Sequence, residues 1–231
     1  MWAAAIPNCV SYDPAYGYEI AVIVQDGLRR MYAEQEDVFY YLTVMNENYV
    51  QHEMPEGAEE GILRGMHPIA GDGSGDIQLL GSGTILREVL AGAELLQEDF
   101  GVSSDVWSVT SFTELARDGN ACERAARLHP TDDAPQPYVS ACLDERPTVA
   151  ATDYIRTFAE QIRPWVPGPY TVLGTDGFGR SDYRVALRRF FEVDRHHVVV
   201  AALQRLGRAE DAAKAIEQYD IDANAEAPWR R

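Results

Sequence analysis

The sequence predicts an α/β protein whose mostly parallel, open β-sheet is covered by helices on both faces. Two observations support this prediction. Short apolar segments typical of strands alternate with segments of helical periodicity between residues 76 and 220, and this alternation is the pattern of a parallel sheet. The apolar fraction, 46% of the 231 residues, is also sufficient to build an interior core.

The elements of this region follow one another from Asp76. Strands are predicted over 77–80, 102–109, 148–152 and 170–173, so the sheet should have about four or five strands. Helices are predicted over 84–100, 114–128, 154–162 and 211–219, with two more that end at Phe191 and Leu206. Residues suited to helix capping precede three of these helices; they are Asp153, Ser181 or Asp182, and Asp194.

The first part of the chain poses a physical problem. Residues 18–32 have helical periodicity and residues 38–44 (VFYYLTV) have the composition of a buried strand, but one helix and one strand do not make a sheet. Residues 1–45 are therefore predicted to be the C-terminal remnant of a preceding α/β domain. The glycine- and proline-rich residues 46–75 are predicted to form a connecting loop with a short helix at 58–63, followed by a second domain over 76–231.

Charge and cysteine content narrow the function classes. The formal net charge of −17 disfavours binding to nucleic acid or to an anionic membrane surface. No apolar run approaches the ~20 residues that cross a bilayer, and no signal peptide is visible. The three cysteines form no C-x-x-C pair, which argues against a zinc site and favours a reducing, cytoplasmic location.

Known catalytic and metal motifs fail at defined positions. The turn Gly81-Ser82-Gly83 lacks the third glycine of a dinucleotide fingerprint, because position 86 is Leu86. The pair His196-His197 has no third ligand at suitable spacing and is interpreted as the polar first turn of a helix. Glutamates 53, 56, 59 and 60 form an acidic cluster for which both acid–base chemistry and a solvated loop stay open.

One loop is a candidate anion-binding site. Residues 174–182 follow a predicted strand and open a helix, so backbone amides there could bind an anion. The alternative is a purely structural connection in which Arg180 pairs with Asp176 or Asp182. The candidate residues are Asp176, Gly177, Gly179, Arg180 and Ser181.

Five segments, in this order along the chain, resemble the homodimeric type of bacterial pyruvate dehydrogenase. They are NCVSYDPAY at 8–16, NENY at 46–49 with MPEGAEEGI at 54–62, LLGSGTIL at 79–86, VTSFTELARDG at 109–119 and LGTDGFGRSD at 173–182. The resemblance implies that residues 1–45 end a pyrimidine-binding domain and that residues 76–231 form a C-terminal domain of the transketolase type. The chain would thus be a C-terminal fragment of a longer enzyme.

The resemblance also implies a reaction and its partners. The complete enzyme would use thiamine diphosphate and Mg²⁺ to decarboxylate pyruvate, and would pass the two-carbon unit to the lipoyl group of a dihydrolipoamide acetyltransferase. It would be a homodimer. The family's catalytic, cofactor-binding and metal-binding residues match no position here, so none is assigned, no cofactor is expected to bind the chain alone, and it is expected to be inactive without the upstream part. The alternative is a non-catalytic interaction or dimerisation module that docks onto the complex.

Overall fold

The structure, a computed structural model, describes residues 2–230 and contains two β-sheets. In chain order the helices are α1 (Trp2–Ala5), α2 (Gly17–Leu28), α3 (Glu59–Arg64), α4 (Leu86–Phe100), α5 (Phe112–Leu128), α6 (Tyr138–Cys142), α7 (Arg156–Glu160), α8 (Arg184–Phe190), α9 (Arg195–Arg205) and α10 (Ala209–Gln218). The strands are β1 (Cys9–Tyr12), β2 (Phe39–Leu42), β3 (His67–Ala70), β4 (Ile77–Gly81), β5 (Ser104–Ser108), β6 (Thr148–Ala151) and β7 (Tyr170–Leu173).

The smaller sheet consists of two parallel strands joined by a helix. β1 pairs with β2 in a register that places Cys9 beside Phe39 and Tyr12 beside Leu42. Helix α2, extended by a π-helical segment over Arg29–Ala33, connects the strands, as a parallel pair requires. The sequence prediction found the helix and β2 but missed β1, because a four-residue strand that contains a serine and precedes a proline gives little periodic signal.

The larger sheet has five strands in the order β3-β5-β4-β6-β7. β5, β4, β6 and β7 are parallel, and β3 joins one edge in the antiparallel direction. The four parallel strands confirm the predicted sheet, whereas β3 lies in the segment that was predicted to be loop. Pro68 within β3 hid the strand, because proline is tolerated only at a sheet edge such as this one.

Helices cover both faces of the larger sheet. Alternate residues of β4 separate the two cores: Leu79 packs among residues of α4, α9 and α10, and Leu80 packs among residues of α5, α6 and α7. Both leucines are fully buried. This two-sided burial is what the continuous apolar strands predicted. Among the described residues, no helix is long and apolar enough to cross a membrane.

The helix starts test the predicted caps. Asp194 caps α9 as predicted, since its side chain accepts a hydrogen bond from the backbone amide of His197. The other two predictions are wrong. Helix α7 begins after Ile155 without a side-chain cap, so Asp153 does not cap it. Helix α8 begins after Tyr183, and neither Ser181 nor Asp182 caps it.

Candidate functional site

The carboxyl ends of β4 and β6 form the centre of the candidate site. β4 has β5 on one side and β6 on the other, so the chain connections leave in opposite directions at this point. Open α/β sheets bind ligands outside the carboxyl ends of the strands at such a switch point. Here the Ser82 and Thr152 hydroxyls lie 2.9 Å apart and both residues are fully buried.

Asp13, which follows β1, lies against this edge. Its backbone amide donates to the Thr110 carbonyl at 2.7 Å, and its carbonyl accepts from the Gly83 amide at 3.1 Å. One carboxylate oxygen accepts from the Thr43 hydroxyl at 2.6 Å, and the other has no hydrogen-bond partner although it is buried. Burial raises the pKa of Asp13 to about 6, against the lowering effect of the Thr43 hydrogen bond.

Gly83 is required at this contact. It has a positive φ of 48°, and a Cβ atom there would come within 2.6 Å of the Asp13 carboxylate. Any larger residue would therefore clash with the aspartate as well as strain the backbone. The glycines of the Gly81-Ser82-Gly83 turn serve this close packing, in agreement with the failed dinucleotide fingerprint.

A second buried carboxylate joins the two sheets. Glu19 of α2 is fully buried and accepts from the amides of Ala15 and Tyr16, and from the Ser108 hydroxyl at 2.6 Å. The fourth partner is His67 Nε2, 2.8 Å from the same carboxylate oxygen as Ser108. All of these groups are shielded from solvent, so the cluster is a structural connection between the sheets and not an accessible catalytic arrangement.

A large cleft opens beside this edge. It has a volume of about 570 Å³ and lies between residues 44–47 and helix α8. The residues that line it are Val44, Met45, Asn46, Glu47, Thr84, Asp153, Thr175, Gly179, Arg180, Arg184, Leu187, Arg188, Phe191 and Val193.

Glu47 forms ion pairs with three arginines in and beside the cleft. Its carboxylate contacts Arg87 at 2.8 Å, Arg188 at 2.9 Å and Arg184 at 3.4 Å. Burial raises the pKa of Glu47, but the hydrogen bonds and charges of Arg188 and Arg87 outweigh it, so the net shift is downward. Arg188 is almost completely buried and also contacts Glu88 at 3.1 Å. The linking loop is thereby tied to the larger sheet by fixed charges.

The candidate loop residues are only partly brought together. Gly179 and Arg180 line the cleft, but Asp176 turns away and pairs with Arg156 at 2.9 Å. The predicted pairing of Arg180 with Asp176 or Asp182 is wrong: the Arg180 guanidinium instead lies over the Phe190 ring, 4.2 Å from its centroid.

The other two members of that loop lie outside the cleft lining. Gly177 has a positive φ of 112°, and a Cβ atom there would come within 2.7 Å of the Pro228 carbonyl oxygen. Ser181 is exposed beside the cleft.

Two other sequence candidates have ordinary structural surroundings. His197 Nδ1 lies 2.7 Å from the Asp194 carboxylate at the start of α9, and His196 lies 3.6 Å from it. Glu59 and Glu60 form the first turn of α3 and are exposed, where acidic side chains are favoured. Within residues 2–230, no group of three or more His, Cys, Asp or Glu residues could hold a metal ion.

Several important side chains were missed by sequence reasoning. Asp13, Glu19, Glu47 and Arg188 have partners that are far away along the chain; Arg188, for example, bonds to a residue 141 positions earlier. No periodicity or local spacing signals such pairs. The NENY segment containing Glu47 was the available signal, since it stood within a long loop of the kind that is often functional.

Comparison with known proteins identifies the structural class to which the chain belongs. Residues 65–194 match the transketolase-like C-terminal domain, which is more than half of the chain, and residues 1–53 match the pyruvate dehydrogenase E1 component middle domain. A transketolase from Leishmania mexicana superposes with a TM-score of 0.61 at 16% identity, covering 90% of this chain and 26% of that one. This likeness confirms the expected transketolase-type fold.

Two curated relatives then give the particular family. A pyruvate dehydrogenase E1 component from Cupriavidus necator is 56% identical over 97% of this chain and 26% of the relative. One from Escherichia coli K12 is 57% identical over 95% of this chain and 26% of the relative. The chain belongs to the bacterial pyruvate dehydrogenase E1 family, as the five motifs indicated, and spans about a quarter of the length of the curated relatives it matches.

Proposed function

We propose that this chain is the C-terminal part of a thiamine-diphosphate-dependent component that decarboxylates pyruvate and acetylates the lipoyl group of a dihydrolipoamide acetyltransferase. The identity of 56–57% to pyruvate dehydrogenase E1 components over nearly the whole chain is the observation that supports it most strongly. In this proposal residues 1–45 are the C-terminal end of the pyrimidine-binding domain. Residues 46–75 connect it to the C-terminal domain, which consists of residues 76–231.

The contribution of this chain is structural support of a larger active-site wall. The smaller sheet has two strands, and apolar side chains in and beside it are exposed, including Phe39, Tyr41 and Val44. Such a sheet is not stable by itself, and further strands from the rest of the enzyme would cover it. The Asp13, Glu19 and Glu47 contacts then hold that sheet in a fixed orientation on the C-terminal domain.

We propose that the groups that hold the cofactor lie outside this chain. Thiamine diphosphate is held in this class through Mg²⁺, and the motifs that this chain shares with the family contain no metal-binding residue. We therefore assign the cofactor and metal to the remainder of the complete enzyme. The isolated chain is proposed to bind neither and to be inactive.

The proposed partners follow from the same family. The complete enzyme would be a cytoplasmic homodimer that docks with the acetyltransferase. The net charge of −17 supports attraction to a basic partner surface and opposes binding to nucleic acid. This charge also favours the second candidate function, a docking module without catalytic activity, whose binding to the acetyltransferase should weaken as salt is raised.

A chimera tests the proposal directly. The C-terminal quarter of the Escherichia coli E1 component would be replaced by this chain, and pyruvate-dependent NADH formation would be measured in the reconstituted complex. We expect activity of the same order as the parent enzyme. A control chimera with the C-terminal domain of a transketolase has the same fold but lacks the E1 contacts, and should be inactive. A folded, dimeric but inactive chimera carrying this chain would contradict the proposal.

The isolated chain offers a complementary test. Titration calorimetry with thiamine diphosphate and Mg²⁺ should show no saturable heat, and pyruvate should release no carbon dioxide above the buffer control. Saturable cofactor binding would mean that the cofactor site lies within these residues, and the assignment of the cofactor to the remainder of the enzyme would be wrong.

A further inference from the structure

The 570 Å³ cleft concentrates positive charge in a strongly acidic protein. The guanidinium groups that line it belong to Arg180, Arg184 and Arg188, and the carboxylates that line it belong to Glu47 and Asp153. Three cations against two anions leave an excess of one positive charge. Burial raises the pKa of Asp153, against the lowering influence of Arg188.

Not all of these arginines have guanidinium groups that are fully occupied by contacts within the protein. Arg188 is held by Glu47, Glu88 and Thr84 and is nearly fully buried. Arg180, in contrast, is exposed and has no carboxylate partner within the described part of the chain.

Arg184 is half-exposed, donates to the Asn46 side chain at 2.6 Å and has only a distant contact with Glu47. The guanidinium of Arg180 is therefore available at the rim of the cleft, and that of Arg184 retains donors beyond the nitrogens that contact Asn46 and Glu47.

The position of Arg180 is fixed without using its hydrogen bonds. Its guanidinium lies 4.2 Å from the centroid of the Phe190 ring, a cation–π contact that orients the planar group and leaves its N–H donors free. An arginine oriented in this way is suited to bidentate recognition of a phosphate or carboxylate. A surface arginine held only by solvent would lose more conformational entropy on binding.

The interior of the cleft suits the body of a small polar molecule. Thr84, Thr175, Asn46 and Asp153 supply hydroxyl, amide and carboxylate groups, while Leu187, Phe191 and Val193 supply an apolar wall. The volume falls within the ~300–1,000 Å³ typical of small-molecule sites. The cleft also lies beside the switch point of the larger sheet, where this architecture binds ligands.

We propose that this cleft binds a small organic anion, with its phosphate or carboxylate group on Arg180 and Arg184 and its hydroxylated body toward Thr84 and Thr175. The proposal does not depend on the decarboxylation function, because it uses only contacts within this chain. Since the cleft is bounded by both residues 44–47 and α8, the bound anion would also tighten the connection between the two sheets.

Calorimetric titration of the full 231-residue chain in low-chloride buffer tests the proposal. The probes are inorganic phosphate, glycerol 3-phosphate and D-gluconate. We expect saturable binding of one probe molecule per chain, tighter for an organic probe than for inorganic phosphate. Binding of glycerol 3-phosphate alone would identify a phosphorylated ligand, and binding of D-gluconate as well would identify a site for carboxylates too.

Two variants and one control distinguish specific binding in the cleft from nonspecific attraction of an anion to positive charge. Arg180→Gln and Arg184→Gln change exposed side chains and should each weaken binding about tenfold, the scale of a lost charge-assisted hydrogen bond. Arg124→Gln changes net charge equally on α5, outside the cleft, and should have no effect. Absence of saturable binding by every probe, or equal weakening in Arg124→Gln, would overturn the proposal.

Discussion

At the residue scale, Asp13 is the group for which burial and ionisation conflict most directly. Its side chain is 7% exposed, and one carboxylate oxygen has no hydrogen-bond partner. An ionised carboxylate in this environment has lost its hydration without full replacement, which is a net cost to the folded state. The same oxygen lies against Gly83, where no side chain could separate them.

This conflict predicts a defined pH dependence. Burial raises the pKa of Asp13 from 3.8 in the unfolded chain to about 6 in the folded protein. Between these values the folded state binds more protons than the unfolded state, so the contribution of Asp13 to the free energy of unfolding falls as pH rises through about 6. The loss at neutral pH is roughly 3 kcal/mol.

The variant Asp13→Asn should remove that loss. We expect it to be more stable than the wild type at pH 7 and to lack the decrease between pH 4 and 6, as measured by thermal unfolding across this range. Asp133→Asn, an exposed change of equal charge, is the control. Equal pH profiles for the wild type and Asp13→Asn would show that this carboxylate is not stressed by burial.

Asp13 is an example of a residue whose structural importance could not be predicted from the sequence. Its importance comes from contacts with Thr43 and Gly83, which are brought together only by the packing of two sheets. Position in the sequence gives no sign of this, and neither does residue type, since a lone aspartate before a proline is most often a turn residue. The arginines of the cleft were missed for the same reason, apart from Arg180.

At the scale of elements, the helix starts show how far local rules extend. Asp194 was predictable because the cap, the first turn and the apolar periodicity of α9 are adjacent in sequence. The start of α8 was not predictable, because the path of residues 174–183 is determined by contacts with Arg156, Pro228 and Phe190 and not by local capping. The four parallel strands were predictable from composition, whereas β1 and β3 depended on long-range pairing.

Asp194 and Asp182 provide a matched pair for testing this difference. Asp194→Ala removes a hydrogen bond of 3.0 Å to the His197 amide and another of 2.7 Å to its ring, and should lower the free energy of unfolding by about 1–2 kcal/mol. Asp182→Ala, at an exposed position that caps no helix, should change it by less than about 0.5 kcal/mol. Urea unfolding measures both, and equal effects would contradict the assignment of Asp194 as a cap.

At the scale of the whole molecule, the smaller sheet and the helix that joins its strands expose several large apolar side chains. Six of these residues are between 44% and 74% exposed; they are Val24, Leu28, Tyr32, Phe39, Tyr41 and Val44. Clusters of this kind mark interaction surfaces in soluble proteins. The two-stranded sheet also presents unpaired backbone groups on its open edges, which favour association with other strands.

The isolated chain should therefore self-associate. Light scattering over a concentration series should show species larger than the 25.7 kDa chain, and Tyr41→Lys should shift the population toward the monomer by placing a charge on this surface. Leu128→Glu, at a comparably exposed position on α5, should leave association unchanged. A monomer at every concentration would mean that the exposed face is tolerated in water.

Glu19 limits how this protein can be divided. One carboxylate from α2 accepts hydrogen bonds from two amides, a hydroxyl of β5 and an imidazole of β3. An expression variant that begins at residue 65 would leave the Ser108 and His67 donors without their shared acceptor and open to solvent. Attempts to isolate, exchange or crystallise the C-terminal domain should therefore keep residues 9–28 attached, since a cut at the apparent junction passes through the hydrogen bonds that complete its interior.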